Sequence, residues 1–125
     1  MKQYLFITLL CCCSIFQKAI AQENCGLATI AEAENLYNIG RFNESIEQLN
    51  NCLSKEKGFG YEEKVQAYRL LAMSFLALDS MNAADDNIRQ LLILKDDFTA
   101  DSRDPERFRY ELNLVRSAQR ISIVS

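Results

Sequence analysis

Two cysteines, Cys25 and Cys52, and a row of arginines, Arg109, Arg116 and Arg120, hold the groups of this 125-residue chain with the clearest chemical potential. The other cysteines, Cys11, Cys12 and Cys13, lie inside an apolar run near the start. Two lone thiols can form one disulfide in an oxidising compartment, and the absence of a Cys-x-x-Cys pair argues against a redox role. The chain contains no histidine, so it lacks the most versatile acid–base group at neutral pH and the commonest zinc ligand. Asp96, Asp97, Asp101 and Asp104 lack the alternating ligands and central glycine of a calcium loop, and read as a solvated connection with a helix cap. The serines fall at turns and caps, no glycine-rich phosphate loop occurs, and no nucleophile stands beside a base. The reading is therefore of a non-enzyme that needs neither cofactor nor metal.

The start of the chain indicates the compartment. Lys2 supplies a positive charge, Leu5 to Phe16 form an unbroken apolar run, and Ala19-Ile20-Ala21 offers the small-x-small pattern of a signal-peptidase site. The run is shorter than the roughly 20 residues a spanning helix needs, so residues 1–21 are predicted to be a cleaved signal peptide. Lipidation on Cys11, Cys12 or Cys13 is the alternative, but Leu10 or another cysteine stands where a small residue should precede the modified one. Loss of Lys2 and Lys18 with the leader would make the net charge more negative than its starting −3, which disfavours nucleic acid as a partner. What remains is one domain over 22–120 and an apolar tail over 121–125.

Apolar residues then recur at helical spacing. Leu27, Ile30, Ala33, Leu36 and Tyr37 form one run, and Ile46, Leu49, Cys52 and Leu53 the next, with Gly40-Arg41-Phe42-Asn43 between them. Gly40 tolerates the positive backbone angle that ends a helix, and Asn43 is expected to cap the second. Val65 to Leu78 and Ala83 to Leu94 repeat the layout around Asp79-Ser80-Met81-Asn82, with Asn82 as the matching cap and Asp85 in the first turn. Asp104-Pro105-Glu106 reads as a further helix start, with Asp104 as the capping carboxylate. Phe108, Leu112 and Val115 would lie on the second hairpin. The fold class is therefore all-α: two helix hairpins sealed by a last helix.

Placed in register, Ala33, Leu36, Tyr37, Gly40, Phe42, Ser45, Leu49 and Cys52 match Ala72, Phe75, Leu76, Asp79, Met81, Ala84, Ile88 and Leu91. This small, large, large, turn, aromatic or large, small pattern resembles the tetratricopeptide repeat, and most of all the short two-repeat domains of exported Gram-negative envelope proteins. The turns at 40 and 79 are wider apart than the usual period of about 34 residues, so the connection from Lys55 to Tyr61 must hold an insertion. Asp79 replaces the turn glycine, Ser45 and Leu91 replace alanines, and Asp96 replaces the closing proline.

The resemblance implies that the first helix of each pair lines a concave face, which puts Glu34, Tyr37 and Asn38 with Gln66, Arg69 and Met73. Asn38 and Arg69 could bond an extended backbone or a carboxylate, with Tyr37 and Met73 as adaptable apolar contacts; the alternative is an ordinary, shallow surface. It implies a periplasmic adaptor or scaffold, associated with the outer membrane through a partner protein in a transport, secretion or protein-insertion assembly. A different class of function, a carrier of a small apolar ligand between hairpin and last helix, would need a cavity there. Cys25 precedes the first helix and Cys52 nears the end of the second, so a bridge would staple the hairpin; otherwise Cys52 is a small core residue and Cys25 is free.

On the last helix, Tyr110, Leu114 and Ile121 run opposite the core stripe, with Arg109, Arg116 and Arg120 between the two. This is either a docking surface for a protein or a strip covered by the folded-back tail. Asp79-Ser80-Met81 matches a short periplasmic O-glycosylation signal at Ser80, and Asn43-Glu44-Ser45 matches the N-glycosylation pattern.

Overall fold

Helical periodicity becomes five helices and no strand among residues 24–124, the span described by the computed structural model. They are α1 Leu27–Asn38, α2 Phe42–Leu53, α3 Tyr61–Ala77, α4 Met81–Leu94 and α5 Glu106–Val124. The expected signal peptide and its cleavage site lie outside the described residues.

Both hairpins turn by the same device. After α1 the Gly40 amide donates to the Tyr37 carbonyl at 3.0 Å and the Arg41 amide to Leu36 at 2.8 Å. After α3 the Asp79 amide donates to Leu76 at 3.0 Å and the Ser80 amide to Phe75 at 2.8 Å. This pair of bonds closes a helix when the residue just past its end has positive φ. Gly40 (φ 81°) and Asp79 (φ 57°) occupy that position. Glycine takes this conformation without a Cβ clash, whereas aspartate is one of the few other residues that visit it.

The capping expectations need correction. Asn43 and Asn82 lie inside α2 and α4; the residues at the caps are Arg41 and Ser80, and neither makes a side-chain cap bond. Asp85 lies beyond the first turn of α4, so it adds no charge at the helix start. The Schellman-type turns draw α2 and α4 in at once, leaving no room for a separate capping residue at 43 or 82. Ser45 is fully buried, with Oγ donating to the Ala33 carbonyl at 2.8 Å, so the alanine-to-serine departure is satisfied by its partner helix.

α3 sits at the centre. Leu70 and Leu71 join Ile30, Ala33 and Leu49 in a first core, while Met73 and Leu76 join Ile88, Leu91, Phe108 and Leu112 in a second. Phe108, Leu112 and Val115 are buried, as their spacing requires. The connection from 54 to 60 brings Phe59 into the first core and runs so close to α2 that a Cβ on Gly58 would overlap the Cys52 carbonyl oxygen. Residues Ile121–Val124 continue α5, so the expected tail does not fold back over Leu114.

Cys25 and Cys52 form a disulfide with Cα atoms 5.6 Å apart, joining residues separated by 27 positions. A cross-link over a loop of this length restricts the unfolded chain by about 3 kcal/mol. Replacing Cys25→Ser with Cys52→Ala should lower the unfolding free energy by roughly that amount, measured by urea denaturation at neutral pH. A loss below about 1 kcal/mol would contradict the staple.

Candidate functional site

The six residues predicted for the concave face come together. Glu34, Tyr37 and Asn38 from α1, and Gln66, Arg69 and Met73 from α3, line one open groove of about 650 Å³. Its far wall, which the sequence reading did not foresee, comes from the connection before α5: Phe98, Thr99, Asp101, Arg103, Asp104 and Pro105. Only a contact spanning 35 positions, from Arg69 to Asp104, would have revealed it, and no local pattern carries such a contact.

That contact corrects two sequence expectations. Asp104 is not the cap of α5; its Oδ1 accepts from Arg69 Nε at 3.1 Å and from Nη2, while Oδ2 accepts from the Asp101 amide at 2.9 Å. The side chains are 14% and 1% exposed, so this is an ion pair largely withdrawn from water. Arg69 in turn is not free to hold a ligand carboxylate. Its remaining Nη1 lies 3.4 Å from Gln66 Oε1 and 3.6 Å from Glu34. Burial alone would lower the guanidinium pKa, but the hydrogen bonds and charge of Asp104 more than offset it and the net shift is upward.

The other cation on the rim is also engaged. Arg103 Nε pairs with Asp101 Oδ1 at 3.2 Å, and the same oxygen accepts from the Arg103 amide at 2.8 Å. These bonds hold the Asp101 carboxyl down at about 2. Glu34, 46% exposed, keeps only a 3.6 Å contact to Arg69 Nη1, whereas Asp101 and Arg103 on the rim are exposed but paired with each other. Tyr37 stands beside it with its ring 5.4 Å from Phe42, and burial raises the phenol pKa, so it presents a neutral hydroxyl. The groove therefore offers amide and hydroxyl groups, one carboxylate without a short ion pair, an exposed Asp101–Arg103 pair and limited apolar surface.

On α5, Tyr110, Leu114 and Ile121 are 63%, 48% and 69% exposed, opposite the buried stripe. Arg109 and Arg120 are exposed; Arg116 is half-buried and its Nη2 donates to the Phe98 carbonyl. Arg107 anchors the helix elsewhere, bonding the Leu76 carbonyl at 2.9 Å and Asp79 at 2.8 Å. Between the second hairpin and α5 lies a cleft of only about 100 Å³, against the 300 Å³ or more of typical small-molecule sites. Phe98 and Phe108 close the core with ring centroids 6.4 Å apart. Ser80 lies exposed on the α3–α4 turn; in the Asn43-Glu44-Ser45 pattern Asn43 is exposed within α2 and Ser45 is buried. Among the described residues no helix is long and apolar enough to cross a membrane.

Neither a protein family, nor a curated protein, nor a solved structure matches this chain.

Removing one member of a buried ion pair leaves the other charged and unsatisfied, which costs about 3 kcal/mol or more. Asp104→Ala should therefore destabilise the protein by about that amount, while the double change Arg69→Met with Asp104→Leu should recover most of it. Guanidinium unfolding of the two variants and the parent provides the comparison; equal losses in both would mean that the charges do not act as a pair.

Proposed function

We propose that this protein is a non-catalytic adaptor of the cell envelope, related to the tetratricopeptide repeats, that holds an extended segment of a client protein in the groove between α1, α3 and the connection before α5. The observation that carries the reading is the convergence of Glu34, Tyr37, Asn38, Gln66 and Met73 from two separate hairpins on one groove of about 650 Å³. Asn38 and Gln66 suit the main chain of such a segment, since their amides both donate and accept. With Arg69 and Arg103 bound to their own aspartates, the groove favours a neutral or basic segment over the carboxylate that the sequence first suggested.

A periplasmic location is supported by the leader-like residues 1–21 and by the Cys25–Cys52 disulfide, which suits an oxidising compartment. A role as accessory subunit of an outer-membrane transport, secretion or protein-insertion assembly follows from the family resemblance. The carrier of a small apolar ligand is the weaker reading, because the clefts beside α5 are only about 100 and 160 Å³.

The test is site-specific photocrosslinking in the native envelope, with benzoylphenylalanine at Asn38 in the groove or at Glu47 on the exposed side of α2. A discrete adduct from Asn38 that is missing from Glu47 and lost on adding Glu34→Arg is the expected result. No adduct from Asn38, or the same adducts from both positions, would contradict the groove as the client site.

A further inference from the structure

The arginines of this protein divide into two groups. Arg41, Arg69, Arg89, Arg103 and Arg107 each pair with a carboxylate of the chain. Arg109, Arg116 and Arg120 pair with none among the described residues, although the chain as a whole is acidic, with a net charge of −3. Their spacing of seven and four residues puts all three along one side of α5, over about 16 Å of helix. An acidic protein that leaves these three cations together without carboxylate partners has a local field opposite to its overall charge.

The surroundings fit an anion. A pocket of about 160 Å³ lies against Arg109 and Arg116, lined also by Thr99, Ala100, Leu112 and Asn113, with no carboxylate among them. Thr99 and Asn113 add neutral donors. Arg116 spends Nη2 on the Phe98 carbonyl, and its Nε is buried with no hydrogen-bond partner. Buried donors of this kind normally have one. Beside the arginines runs the exposed stripe of Tyr110, Leu114 and Ile121.

We infer that this edge of α5 receives an acidic amphipathic helix of a partner protein. Its apolar residues lie on Tyr110, Leu114 and Ile121; its carboxylates meet Arg109, Arg116 and Arg120, one of them entering the pocket by Thr99 and Asn113. Guanidinium groups match carboxylates with two parallel hydrogen bonds, which also fixes the register of the incoming helix. The layout favours a protein helix over a membrane surface, because the unpaired arginines flank the stripe on one side only, while on the other Glu111 stands beside Asp85 and the ion-paired Arg107. The inference is independent of the groove reading: it concerns a different surface and requires nothing to be bound in the groove.

The experiment selects from a display library of 18-residue amphipathic helices, with a fixed apolar stripe and randomised flanks, against the purified protein. Binding of the selected helices is then compared between the parent and the double variant Arg109→Glu, Arg120→Glu. Both positions are exposed, and circular dichroism confirms that the variant is folded. The expected result is enrichment of Asp and Glu on one flank, with affinity at least about tenfold weaker for the variant and falling with salt. No enriched helix, enrichment without acidic residues, or equal binding to the variant would overturn the proposal. Cosedimentation with phosphatidylglycerol vesicles in the absence of acidic selection would also overturn it, in favour of a membrane surface.

Discussion

The buried pair between Arg69 and Asp104 is the contact on which the upper half of the molecule depends. α3 belongs to the helical body, and Asp104 belongs to the connection that leads into α5; the pair ties one to the other across 35 positions of sequence. Because both side chains are largely removed from water, neither tolerates the loss of its partner. The Asp101 amide completes the carboxylate, so the turn from Asp101 to Asp104 is set by the same interaction. From there α5 can lay Phe108, Leu112 and Val115 on the second core and direct its opposite side to solvent.

One ion pair thus shapes both candidate surfaces. It raises the far wall of the groove, and by using up the guanidinium of Arg69 it decides the sign of the charge that the groove presents. The same placement of α5 exposes Tyr110, Leu114 and Ile121 and leaves Arg109 and Arg120 exposed, without an ion pair among the described residues. A groove with an accessible acid and a helix edge with accessible bases thus place surfaces of opposite charge on one small domain.

The helices and hairpins were legible because each is written in local spacing: Ile30, Ala33 and Leu49 fall where a helical period buries them, and Gly40 marks the turn. The disulfide was legible as one of two options, since antiparallel helices bring 25 and 52 to the same end. The members of the groove on α1 and α3 were legible through the repeat pattern. What escaped depends on partners distant in sequence. Asp104 preceding a proline looks like a cap, and nothing near it announces Arg69. Asn43 and Asn82 look like caps as well, but the bonds made around Gly40 and Asp79 start the next helix two residues earlier. The segment before Tyr61 reads as an insertion, yet Phe59 is a core residue and Gly58 is held against α2.

Native-state hydrogen exchange of Asp104→Asn against the parent tests the tie between the hairpins and α5 most directly. If the pair anchors the connection, amides of α5 and of 98–105 lose protection in the variant, while those of α1 and α2, held by their own core and the disulfide, exchange as before. Unchanged protection in α5, or an equal loss through all five helices, would contradict that role.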